Sequence, residues 1–239
     1  MHKFAIGLAA LAVVILSGCA SSRQARNVTP GGFLGDSASL LVQGERGEEA
    51  LLVYVKDGTD WASYDKVILE PVAIWSAKPS TLPPDQAADY QKLVDSFQVT
   101  LSEKLARSYA MVQRAAPGTL RIQTAIVNGA QANTTLKLAK IVAPYASVAD
   151  FLWTFATGKP GFVGEVSLEY MIRDSESGAL LAAGADRRVG GNQVGAATFT
   201  NWGDVKNILT YWSDLTVYRL CVDRAGPDCQ KPNASVFKQ

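Results

Sequence analysis

The side chains able to do chemistry are few in this chain, and their spacing limits what they can do. The 239 residues include three cysteines and one histidine. Cys221 and Cys229 lie eight apart with Gly226 and Pro227 between them. In an oxidising compartment the simple reading of such a pair is a disulfide, worth about 2–3 kcal/mol by loop closure. Two free thiols are the alternative. A redox pair would have the tighter C-x-x-C spacing, and two thiols alone leave a metal site incomplete. Among the carboxylates, Asp65, Glu70, Glu165 and Asp186 are the loose candidates for a hydrolase working through acids alone. Glu165 and Glu169 share one face of an alternating strand but stand about 13 Å apart along it, too far for a glycosidase pair. A solvated sheet face is the expectation for those two.

The third cysteine, Cys19, sits in a different context. His2 and Lys3 open the chain with a short basic segment, and Phe4–Ile15 is a run of twelve apolar or small residues. Twelve residues are too few to span about 30 Å of hydrocarbon, and they have the length of a signal-peptide core. The run ends in Leu16-Ser17-Gly18-Cys19, which resembles the lipobox of bacterial lipoproteins. That resemblance implies removal of residues 1–18, acylation of Cys19 and anchoring of the new N-terminus in a membrane. With Ala20 and Ser21 following, and no Asp, it implies sorting to the outer membrane, facing the periplasm. Two or more acyl chains give stable anchoring where one does not.

Cleavage before Cys19 removes His2 and Lys3, and leaves basic and acidic residues in equal number. Without an imidazole, neither Ser-His-Asp nor Cys-His chemistry can be assembled, and catalytic zinc loses its usual ligand. No metal or cofactor site is expected. A chain with 23 Lys+Arg against 22 Asp+Glu has no basic excess for nucleic acid. With 48% hydrophobic and 19% charged residues it is an ordinary globular composition.

These residues need elements to position them. Residues 19–32 read as the lipidated cysteine and a flexible tether, 33–225 as one α+β domain, and 226–239 as a polar tail. Tyr64–Trp75 is rich in Val and Ile and reads as a strand, with a bulge expected at Pro71 because proline has no amide to donate. Asp85–Tyr109 carries Tyr90, Leu93, Val94, Phe97, Leu101 and Leu105 at three- and four-residue steps, the stripe of a long helix. Leu120–Ile126 alternates as a strand. Phe162–Asp174 and Ala179–Val189 read as a hairpin around Ser175–Gly178, in a register that sets Ile172 by Leu181, Leu168 by Ala185 and Glu165 by Arg188. Trp202–Val222 reads as a second helix capped by Asn201. Leu136–Thr157, split by Pro144, reads as a short core helix, with an apolar lid or membrane-dipping element as the alternative. Gly190–Ala196 lacks the Lys-Ser/Thr ending of a phosphate loop and reads as a connector. The fold expected is a small mixed or antiparallel sheet with one long crossover helix and a C-terminal helix packed on it.

Three stretches carry a family resemblance: GFLGDSASL (Gly32–Leu40), WASYDKVILEPVAIW (Trp61–Trp75) and DSESGALLAAGADRR (Asp174–Arg188). They resemble the bacterial lipoproteins grouped as domain of unknown function (DUF) 3313. The resemblance implies secretion, a lipid anchor and a compact α+β domain, and it brings no catalytic residue. The expectation is therefore a non-enzymatic lipoprotein that binds an envelope protein from the outer membrane, with an exposed apolar patch for that partner. A small-molecule or lipid-binding module, with an apolar cavity of a few hundred Å³, is the alternative. The placement of Trp61, Trp75, Trp153, Trp202 and Trp212 separates them: an interior cluster fits a scaffold, an open aromatic groove fits a binding site.

Overall fold

The computed structural model describes residues 23–75 (Arg46 apart), 84–127, 165–189 and 202–232. The expectations for Cys19, Leu136–Thr157 and Gly190–Ala196 fall outside these residues. The described chain forms an α+β fold with one mixed, nine-stranded sheet. Its strands are β1 (Arg23–Gln24), β2 (Val42–Gln43), β3 (Leu52–Val55), β4 (Lys66–Leu69), β5 (Ala73–Trp75), β6 (Ala110–Met111), β7 (Thr119–Val127), β8 (Glu165–Asp174) and β9 (Leu180–Val189). The order is β2-β3-β9-β8-β7-β4-β6, with β1 on β9 and β5 on β7. The β2–β3, β3–β9, β9–β8 and β8–β7 pairs are antiparallel, while β4, β5 and β6 run parallel to their partners.

Pro71 divides the first long strand as its missing amide requires. Leu69 pairs with Ile122 and Ala73 with Ala125, so three residues of one strand face two of the other. The amide of Val72, turned out of the ladder, donates to the Gln98 side chain at 2.9 Å. Gln98 belongs to α1 (Pro84–Leu105), which lies between β5 and β6 in sequence. The helix stops four residues short of the expected end, because Ala110–Met111 is taken up as a strand beside β4. Its buried stripe is Val94, Phe97, Leu101 and Leu105. The second helix, α2 (Trp202–Asp223), sets Ile208, Leu209, Trp212, Leu215 and Leu220 against the same core. Both helices cover one face of the sheet, where Leu120, Ile122, Ile126, Val166, Leu168 and Ile172 project.

The other face is covered by the N-terminal segment. Leu34 packs on Met171, Ala183 and Ala185, with Val28, Phe33 and Leu41 around them. This corrects the expected tether. Of its residues, Arg23 and Gln24 pair with β9, the Ala25 amide donates to the Arg187 carbonyl at 2.8 Å, and Gly31 is buried. The sheet has two apolar faces, and this strap is what covers the second one. Gly31 permits the approach, since a Cβ there would lie 2.0 Å from Val127 Cγ1.

Candidate functional site

The hairpin register decides where the charged side chains go. Arg173 pairs with Leu180 as the turn dictates, but Ile172 then pairs with Ala182, leaving Leu181 as an extra residue. This β-bulge corrects the expected register beyond the turn: Leu168 faces Asp186, Val166 faces Arg188, and Glu165 faces Val189. A one-residue slip moves a strand's side chains to the opposite face. Asp186 and Arg188 are thereby turned in beneath α2, and both are buried.

Asp186 is fully engaged there. Its Oδ2 accepts the Trp212 indole N–H at 2.7 Å, and its Oδ1 accepts the Gln24 amide at 3.0 Å and the Leu51 backbone N–H at 3.2 Å. The outer edge of β9 is shared by β3, opposite residues 182–185, and β1, opposite 188 and 189. The Asp186 carboxylate supplies the acceptor where the two short strands meet. Burial pushes its carboxyl above the usual range, opposed by the Trp212 and Gln24 hydrogen bonds and the Arg188 charge. Arg188 lies over the Tyr211 ring, 3.6 Å from its centre. Burial lowers the Arg188 guanidinium, and burial of Tyr211 raises its hydroxyl.

Next to this cluster is a partly open cavity of about 60 Å³ between the sheet and the helices. Phe97, Thr124, Leu168, Tyr170, Trp212 and Leu215 form its body, and Glu49, Arg219 and Asp223 also line it. Arg219 bonds both acids, at 3.0 Å to Glu49 and 3.4 Å to Asp223. Burial raises the Asp223 carboxyl, with Arg219 pulling it back. The Tyr170 ring lies across its strand partner Gly184, where a Cβ would meet the ring at 2.5 Å. Burial, reinforced by Glu49, pushes the Tyr170 hydroxyl far up. The cavity is smaller than the few hundred Å³ expected of a ligand-binding module. It has room for a few waters or a ligand of a few heavy atoms. Trp61 and Trp212 are in the interior and line it, while Trp75 is half-buried against Phe33 with ring centres 5.7 Å apart. The Trp202 side chain and Trp153 lie outside the described residues.

Of the four carboxylates singled out from the sequence, the three whose side chains are described do not converge. Asp65 is exposed and bonds Lys66 at 2.6 Å, which holds its carboxyl low. Glu70 is paired with Arg121. Asp186 is on β9, three strand positions and about 14 Å from β4. The Glu165 side chain lies outside the described residues. No cluster of three or more Cys, Asp or Glu that could hold a metal occurs among the described residues. Cys221 and Cys229 are joined, with Cα atoms 5.6 Å apart, inside the range a disulfide requires. Gly226 gives them room, since a Cβ there would meet Cys221 Sγ at 2.9 Å.

Glu169 lies on the face that strand alternation assigns to it, but that face is not solvated. The expected solvated face is covered by the strap, and Glu169 is 1% exposed. Its carboxylate accepts the backbone N–H groups of Gly31, Phe33 and Leu34, the last at 3.1 Å. Burial raises its carboxyl, and these three donors lower it. The available signal was the adjacent glycine pair, Gly31-Gly32, which lets a backbone come close to a carboxylate.

Comparison with known proteins gives few leads. No curated protein matches the chain. Among solved structures, the PelC dodecamer from Paraburkholderia phytofirmans is similar at 13% identity and a TM-score of 0.34, over 74% of this chain and 98% of that one. A DUF4136 family protein from Bacteroides thetaiotaomicron is similar at 12% identity and a TM-score of 0.33, over 70% of this chain and 95% of that one. Neither likeness carries a functional argument. Among the described residues no helix is long and apolar enough to cross a membrane. The family model described as "Protein of unknown function (DUF3313)" matches residues 29–216, and the chain belongs to that family.

Proposed function

We propose that this protein is a lipoprotein anchored in the outer membrane through Cys19, whose periplasmic domain serves a non-catalytic accessory role by binding an envelope protein. The observation that carries the anchor is Leu16-Ser17-Gly18-Cys19 at the end of a twelve-residue apolar run. A binding rather than catalytic role is supported by the engagement of Asp186 and Glu70 with other side chains of the chain. The partner surface we favour is the β2–β3 edge, where Leu40, Val42 and Val55 are exposed, Val42 to 64%. Mass spectrometry and fractionation of the intact protein test the anchor. Wild type should carry acyl mass and sediment with outer membrane, and Cys19→Ala should lose both. Unchanged fractionation of Cys19→Ala would refute it. A photoreactive residue placed at Leu40 should capture an envelope protein in whole cells, and adding Val42→Asp should abolish the capture.

A small-ligand module is the second reading, favoured by the cavity between the sheet and α2. It requires a ligand of a few heavy atoms. Native mass spectrometry of protein taken from the envelope should then show a bound mass that Tyr170→Trp removes.

A further inference from the structure

The fold begins almost at the anchor. Arg23 pairs with Val189 and Gln24 with Arg188. The Gln24 amide donates to the Glu49 carbonyl at 2.8 Å and to Asp186 at 3.0 Å, and its oxygen accepts the Gly47 N–H at 3.2 Å. Strand and side chain together fix this point to the core. Between Cys19 and Arg23 there are four Cα steps, and a fully extended chain covers about 14 Å in four steps. Arg23, Val189 and Glu165 lie in one row across the sheet, and Val127, which pairs with Ser167 and Trp75, lies at the same end. The opposite end holds the Ser175–Gly178 turn. The nine steps of β8 put about 30 Å between the two ends.

Resting on the Cys19 anchor, we infer that the domain is held with the Arg23 end of its sheet toward the phospholipid headgroup layer and the Ser175–Gly178 turn pointing away. The chain is too short for the domain to swing over, because its first fixed residue is within about 14 Å of the acylated cysteine. The far turn is then the end farther from the headgroups, by up to the length of β8, and the β2–β3 edge lies between the two ends.

The test uses the full-length acylated protein in phospholipid vesicles that carry a nitroxide on the headgroup. A fluorophore is placed at Asn27→Cys, exposed four residues after Arg23, or at Glu176→Cys, exposed on the far turn. Headgroup quenching should be several-fold stronger at position 27 than at 176. A second protein carries twenty Gly/Ser residues inserted between Ser21 and Ser22, a coil reaching about 25 Å on average. In it the difference should shrink, with thermal unfolding unchanged. Equal quenching at both positions in a preparation whose Cys19 carries acyl mass overturns the orientation alone. A difference that survives the insertion overturns the short connection as its cause. Absence of acyl mass overturns the anchor, and the orientation with it.

Discussion

Asp186 on the helix face and Glu169 on the strap face are both almost sealed from solvent, at 2% and 1% exposure, yet they are held differently. Asp186 takes hydrogen bonds from Trp212 on α2, Gln24 on β1 and the Leu51 backbone. It ties together elements far apart in sequence, and each side-chain donor depends on its own residue type. Glu169 takes backbone N–H groups from one short stretch, 31–34. Those donors exist whatever the side chains are, provided Gly31 can come close to Val127. The apolar support differs in the same direction. The helix-face core includes Phe97, Leu101, Leu105, Ile208 and Trp212, whereas the strap rests on Leu34, Met171 and two alanines. One face is secured by a broad packed core with a polar centre. The other is secured by one carboxylate over a small apolar patch, and should open first.

The largest effect should come from Asp186→Ala. It strands the buried donors of Trp212, Gln24 and the Leu51 backbone, a loss of about 3–5 kcal/mol in chemical denaturation, since each unmet buried donor costs about 1–3 kcal/mol. A loss no greater than that of Glu169→Gln would erase the distinction between the faces. Reduction of Cys221–Cys229, or Cys221→Ala with Cys229→Ala, should cost about 2–3 kcal/mol by loop closure. That loss should appear in global unfolding, with amide exchange in the strap unchanged relative to the rest of the chain. Glu169→Gln replaces one accepting oxygen by an NH₂ facing backbone donors. It should cost about 1–3 kcal/mol. Amide exchange should rise across 25–41 while Leu101 and Leu209 stay protected, and uniform acceleration over the whole chain would show the strap is no separate unit.

The smallest effect is a pH slope. Burial raises both carboxyls above their ordinary range, so between that range and the folded value the native state holds protons the unfolded chain has released. Stability is then fully present below the ordinary carboxylate range and falls as pH rises through the folded value, by at most about 1.4 kcal/mol per pH unit for each group. Denaturation midpoints of Glu169→Gln should show a shallower slope than wild type. An equal slope would mean that the strap carboxyl does not titrate in this interval.

Much of this architecture was legible in the residues. The stripe through Phe97, Leu101 and Leu105 gave α1, since a 3.6-residue period lets one face alone be apolar. Pro71 announced a break, because a residue without an amide interrupts the ladder. The proximity of Cys221 and Cys229 follows from their short separation and an intervening glycine. What the reading missed turns on long-range packing. Strand alternation assigned Glu169 correctly to the face opposite Leu168 and Tyr170, but alternation does not say whether that face is wet. The polar composition of residues 23–32 suggested a tether, although a backbone can pair with an edge strand whatever its side chains are.

By itself the sequence determined the two helices and the long strands, the short run of apolar residues before Cys19, the equal balance of charge, the absence of histidine beyond the first residues and the resemblance to the family. These depend on local periodicity and residue type, which a linear string records. Only the tertiary structure decided that Leu181 is the extra residue of a bulge, that Asp186 and Arg188 therefore point into the core, and that the N-terminal segment closes the second face. Those outcomes depend on which strand edge and which apolar surface were still uncovered once the helices had packed, a competition between distant parts of the chain.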